Sequence, residues 1–259
     1  MKTISSRDNP LYKELKQLAS SSQARRKAGR TLLDGIHLAQ SYLQHVGLPT
    51  LCVFGEGAQS NPEVAALAAA CGDGKCVLLP DALYRALSQV EHGIGPLFVV
   101  DTPRPPPPAE LTQSAVLLDN LQDPGNLGSI LRSAAAAGIR QVYCSPGTAF
   151  AWSPKVLRAG MGAHFLLEIF ENVDLTALAQ TARVPLLATS SHARQTLYEV
   201  DLKRPAAWLF GHEGQGVAPE LLALATRQVT IPQAEGMESL NVAAAAAVCF
   251  FEQLRQMRG

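Results

Sequence analysis

Three short stretches carry polar side chains where a strand-to-helix connection needs none. In DPGNLGSILRS (Asp123–Ser133), Asn126 follows a Pro-Gly turn and Arg132 comes within two turns of the helix beyond it. In GHEGQGV (Gly211–Val217), three glycines surround the carboxylate of Glu213. In IPQAEGMESLNV (Ile231–Val242), Ser239 and Asn241 lead into an alanine-rich helix. Amide, carboxylate, hydroxyl and guanidinium groups together can orient a reacting hydroxyl and stabilise charge forming on its oxygen. Glycine lets the backbone approach a ligand closely. The glycine order G-x-x-G-x-G is not the dinucleotide fingerprint, and neither GxGxxG nor a Gly-Lys-Ser/Thr phosphate loop occurs in the chain, which argues against hydride transfer and NTP hydrolysis. Asn126 is expected to cap a helix beginning at Leu127, and Ser239 to cap the last one. His212 reads as a hydrogen-bonded loop residue rather than a base.

The elements that must position these groups alternate. Asn9–Ala28 has helical spacing, with Leu11, Leu15 and Leu18 on one stripe. Short apolar runs (TLLDG, LCVF, KCVLLP, GPLFVV) then alternate with helical stretches, an α/β pattern. DTPRPPPPAEL interrupts it, because successive prolines continue neither helix nor ladder. The expected division is a domain at 1–102, a Pro-rich linker at 103–110 and a second domain at 111–259. In the second domain AVLLDN, QVYCSP, HFLLEIF, PLLATSS, AAWLFGHE and RQVTIP read as strands, with a final helix from about Ser239 to Met257. Their unbroken apolarity fits a mostly parallel sheet covered by helices on both faces. Ligands of such sheets sit beyond the carboxyl ends of the strands, where all three polar loops fall, so the loops should share a pocket.

At 259 residues, 47% hydrophobic and 17% charged, the composition is globular. No apolar run reaches membrane-spanning length and the N-terminus lacks a signal-peptide core, so a soluble cytoplasmic protein without membrane association is expected. The five cysteines complete no zinc pattern and read as small buried residues in a reducing compartment. Net charge is zero, yet residues 1–30 hold eight Lys or Arg against Asp8 and Glu14. Such an end could contact phosphates or could be a solvated helix face.

At these residues the sequence resembles the SpoU/TrmH branch of the trefoil-knot (SPOUT) RNA 2′-O-methyltransferases. DPGNLGSILRSAAAAGI, LFGHEGQGV and IPQAEGMESLNVAAAAAV resemble the family's three motifs, in order. SPKVLRAGMGAHFLLEI resembles the segment linking the first two. The N-terminal region is similar to the small ribosomal-protein-like α/β substrate-binding domain of many members. Two departures stand out: His212 replaces a smaller amide or hydroxyl residue, and Ala159 a common serine.

The resemblance implies a trefoil-knotted domain and a methyl donor, S-adenosyl-L-methionine, held near Gly211, Ile231 and Leu240. It implies catalytic positions at Asn126, Arg132, Glu213, Ser239 and Asn241, Arg132 being the family's activator of the ribose hydroxyl. No metal is called for. The partners implied are RNA, ribosomal rather than transfer RNA, contacted by the basic N-terminal region, and a second copy of the chain through the knotted domain. The alternatives are a tRNA 2′-O-methyltransferase and a catalytically silent RNA-binding or ribosome-assembly factor on the same scaffold.

Overall fold

A computed structural model describes residues 1–90, 95–190, 193–237 and 239–259. The chain forms two compact units, Met1–Pro103 with Trp152–Phe165, and Arg104–Ala151 with Leu166–Gly259. The passage from one to the other falls at Pro103–Arg104. The return to the first unit over Trp152–Phe165 is not anticipated by the sequence reading. It rests on local chemistry: the Thr31 hydroxyl donates to the Trp152 carbonyl at 2.7 Å, and the ring of Phe165 meets Tyr42 edge-on at 5.3 Å.

The first unit runs β1 (Lys2–Thr3), α1 (Pro10–Ser20), α2 (Ser22–Ala28), β2 (Arg30–Asp34), α3 (Ile36–His45), β3 (Leu51–Gly55), α4 (Pro62–Cys71), β4 (Cys76–Leu79), α5 (Asp81–Arg85) and β5 (Leu97–Asp101). Its sheet has the order β1-β4-β3-β5-β2, with β5 antiparallel to both neighbours and the other pairs parallel. The single helix expected over Asn9–Ala28 is two helices. Ser21 is extended (φ −122°, ψ 118°), and its hydroxyl oxygen accepts from the Ala24 N–H to start α2. Tyr12, Leu15 and Leu18 of α1 enter the core with Ile4. Arg25 is buried, and its guanidinium donates to the carbonyls of Leu18 (2.6 Å) and Ala19 (3.3 Å), satisfying acceptors left open where α1 ends.

The second unit carries β6 (Ala115–Leu118), α6 (Pro124–Ala136) and β7 (Gln141–Cys144). After α7 (Pro154–Gly160), which packs in the first unit, come β8 (Glu168–Phe170), α8 (Leu175–Gln180), β9 (Leu186–Thr189), β10 (Gln195–Thr196), β11 (Ala207–Phe210), α9 (Pro219–Leu222), β12 (Arg227–Thr230) and α10 (Val242–Arg258). All its ladders are parallel, in the order β10-β12-β9-β11-β6-β7-β8. Every residue of β6, β7 and β11 is buried, which accounts for their apolar sequences; the exception, Gln141 of β7, donates to Glu168 and accepts from the Tyr143 hydroxyl, both at 2.9 Å. The chain leaves β6 toward β7 and β8, then crosses to β9 on the other side, and β11 enters between β6 and β9. Connections that diverge in opposite directions open a crevice at the carboxyl edge.

Helix α10 packs on α6 through small residues, Ala243, Ala246 and Cys249 on one side and Gly128 and Ala134 on the other being buried. The buried indole of Trp208 donates to Gln253 Oε1 at 2.7 Å, which ties α10 to β11. The five cysteines are free and buried. No helix among the described residues is long and apolar enough to cross a membrane.

Candidate active site

The crevice is a cavity of about 430 Å³ in the second unit, within the size range of small-molecule sites. Its walls come from the ends of β9, β11 and β12, the first turn of α6 and the entry to α10. Adjacent strands explain the meeting. Leu118 of β6 stands in register with Phe210 of β11, so the loops that follow, one with Asn126 and one with Glu213, leave the sheet side by side. The close fit of α10 on α6 then brings Asn241 alongside.

The helix caps differ from the sequence reading, and the difference determines which groups are available. Asp123, not Asn126, caps α6: its carboxylate accepts from the Asn126 N–H at 2.8 Å, with Pro124 in the first helical position. The helix therefore starts at Pro124 rather than Leu127, and the Asn126 side chain is released from capping. Asn241, not Ser239, caps α10, its Oδ1 accepting from the N–H groups of Ala243 (2.9 Å) and Ala244 (3.3 Å). With Oδ1 committed, Nδ2 donates to Asn126 Oδ1 at 2.9 Å. Asn126 Nδ2 in turn donates to Glu213 Oε1 at 3.1 Å. One hydrogen-bonded chain thus runs Asn241–Asn126–Glu213 across the three polar segments.

Glu213 also accepts from the backbone N–H of Asp123 (3.0 Å) and Gln122 (3.3 Å). Burial pushes its carboxyl up. The hydrogen bonds from the Asn126 amide, its own backbone N–H, Asp123 and Gln122 outweigh that and hold it below the ordinary glutamate value. Glu213 is accordingly a fixed anionic acceptor that clamps the glycine loop to the start of α6. A second clamp escaped the sequence reading: Asp119 Oδ2 accepts from the Ala218 N–H at 2.9 Å, just past the loop. An acid ending the apolar run AVLLD was its only signal.

Glycine is required at Gly211, where an added Cβ would lie 2.2 Å from the backbone of Gly216 and Val217. Gly216 has φ +73°, which completes the tight return. Backbone N–H and C=O of His212 pair with those of Gly216 at 2.9 and 2.8 Å.

Of the eight residues singled out from sequence, Asn126, Gly211, Glu213, Ile231, Ser239, Leu240 and Asn241 line the cavity. Arg132 does not. It is exposed on α6, six residues beyond Asn126, so it lies about 9 Å further along the helix and about 120° around it. Thr189, His212 and Gln233 also line the cavity without having been assigned a site role.

A family model, SpoU rRNA Methylase, matches residues 113–251, more than half of the chain. The chain is 38% identical over 261 residues to an uncharacterized tRNA/rRNA methyltransferase of Synechocystis, covering 98% of this chain and 94% of the relative. It is 28% identical to the 23S rRNA (guanosine(2553)-2′-O)-methyltransferase RlmP of Bacillus subtilis, covering 97% of this chain and 98% of that one. The crystal structure of an AdoMet-bound rRNA methyltransferase from Sinorhizobium meliloti superposes with a TM-score of 0.84 at 26% identity, covering 99% of this chain and 98% of that chain. The full-length matches extend over both compact units, and the motifs that line the cavity fall within the matched family region. The chain belongs to the SpoU rRNA methylase family.

Proposed function

We propose that the protein transfers the methyl group of S-adenosyl-L-methionine to a ribose 2′-hydroxyl of ribosomal RNA. The observation that carries this reading is the Asn241–Asn126–Glu213 chain, which joins three distant segments beside a cavity lined by Gly211, Ile231 and Leu240. The cavity fits the donor: apolar Val229, Ile231, Leu240 and Val242 offer flanks for a planar base, and the glycine loop offers backbone groups. When bound, the donor supplies a methyl group on a positively charged sulfur. The relatives' names support ribosomal RNA over transfer RNA.

The residues of this chain position the 2′-hydroxyl rather than deprotonate it, and its proton passes to solvent water as its oxygen takes the methyl group from sulfur. A guanidinium stays protonated at neutral pH and is a poor base, so Arg132, which lies off the cavity of its own subunit, is assigned to phosphate binding and to stabilising the forming alkoxide at the site of the partner subunit in the proposed homodimer. Glu213, held anionic by its donors, is too weak a base for a ribose hydroxyl. Ser239 is assigned to orienting the attacking oxygen. Holding oxygen and methyl in line can account for about 7–11 kcal/mol of the barrier.

The same reading assigns the first unit to RNA binding and the second to a homodimer. The exposure of Phe251 and Met257 on α10, 47% and 50%, supports the latter. Five free buried thiols favour a cytoplasmic location.

Calorimetry with S-adenosyl-L-methionine and a methyl-transfer assay on ribosomal RNA test the proposal. Arg132→Ala should bind the donor as the wild type does and lose transfer by at least about a hundredfold. Full activity in that variant refutes the role of Arg132. No donor binding by the wild type at millimolar concentration points instead to a silent RNA-binding factor.

A further inference from the structure

The imidazole of His212 lines the cavity and is held by its own loop. Its Nδ1 accepts from two backbone donors, the N–H of Gly214 at 2.9 Å and of Gln215 at 3.2 Å, while its main chain pairs with Gly216 on both sides. An acceptor at Nδ1 requires the neutral ring with the proton on Nε2. The i+2 and i+3 pattern is the one an asparagine or serine makes in a tight turn. Loop Gly211–Val217 has no regular structure beyond the His212–Gly216 bridge, and its glycines cost conformational entropy to order. The ring supplies two of the hydrogen bonds that offset this cost.

We propose that His212 is a positioning residue for the methyl donor: its neutral Nδ1 ties the Gly214 and Gln215 N–H groups and so shapes the glycine loop that borders the donor's place. This rests on reading the cavity as the S-adenosyl-L-methionine site. The role is served by one acceptor atom at a set distance from the backbone, and Asn Oδ1 stands the same number of bonds from Cα as His Nδ1. His212→Asn therefore preserves the contact, His212→Gln moves the acceptor one bond outward, and His212→Ala removes it.

Calorimetry with S-adenosyl-L-methionine on the full chain should show His212→Ala and His212→Gln binding at least fivefold more weakly than wild type. His212→Asn should bind within twofold of wild type and keep methyl transfer. Nitrogen NMR of the ligand-free protein should show His212 protonated at Nε2 and bare at Nδ1. Wild-type affinity in His212→Ala, an asparagine variant as weak as the alanine one, loss of transfer with donor binding retained in His212→Asn, or a ring protonated at Nδ1 would each overturn the proposal. The NMR measurement needs no ligand, so it tests the loop even where the donor reading fails through absence of binding by the wild type.

Discussion

At Glu213 a single carboxylate faces the Asn126 amide and two backbone N–H groups, and its anionic form is favoured despite partial burial. Its folded pKa lies below the unfolded one, so the clamp it provides is fully present above the unfolded value near 4.3 and is lost as pH falls through the folded value. Glu213→Gln places an amide where only an acceptor suits. In this partly open site the loss of stability should be about 1 kcal/mol, with the acid limb of stability flattened and methyl transfer reduced. A variant with wild-type rate and an unchanged acid limb would show that the clamp is idle. Each loop at the site taken alone is ordinary turn chemistry, and the site was legible because three polar loops fall at the same edge of one sheet. Their pairing was not, since Asn126 and Asn241 stand 115 positions apart and only the folded sheet makes them neighbours.

Among the elements, α6 and α10 show how a local rule can select the wrong residue of the right type. Asp123 and Asn126 are both good caps, as are Ser239 and Asn241, and propensity alone does not rank them. Tertiary packing does: capping by Asp123 leaves Asn126 to span toward Glu213 and Asn241. Asn241 has two tasks, which substitution separates. Asn241→Asp keeps the cap on α10 but cannot donate to Asn126, so thermal stability should hold while transfer falls. Asn241→Ala loses both and should cost about 1 kcal/mol of stability as well. Equal stability losses in the two variants, read by denaturant titration, would contradict this separation. Most strand positions were readable from their apolar runs, but β1 and β10, two polar residues each at sheet edges, were not. The break at Ser21 was missed, although the apolar stripe of α1 ends at Leu18 and the serines that follow offer a cap.

At the scale of the whole molecule, the basic end is less available than its charge suggests. Arg25 is buried under α1, Arg30 pairs with Glu14 (3.7 Å) and Asp101 (3.0 Å), and Lys13 with Asp8 (3.1 Å). Lys2, Arg7, Lys16 and Lys27 are exposed. Removing residues 1–30 would take Ile4, Tyr12, Leu15 and Leu18 out of the core, so point variants are the sound test of RNA binding. Lys16→Gln with Lys27→Gln should weaken binding and reduce the slope of log affinity against log salt by about 1.5, as two phosphate contacts would. An unchanged slope would remove those lysines from the RNA face. The two-unit organisation was partly legible, since the Pro-rich stretch marks the passage at Pro103–Arg104. The return over Trp152–Phe165 carries no such composition shift.

The placement of β11 has a consequence for how the protein is made. Its slot lies between β6, which precedes it by most of the unit, and β9, so its two ladders can form only once both flanking strands are in place. Contacts so distant along the chain require costly ring closure before they are rewarded, which makes acquisition of the native state slow. Until β11 arrives, the bared edges of β6 and β9 are the surfaces a nascent chain has most need to shield.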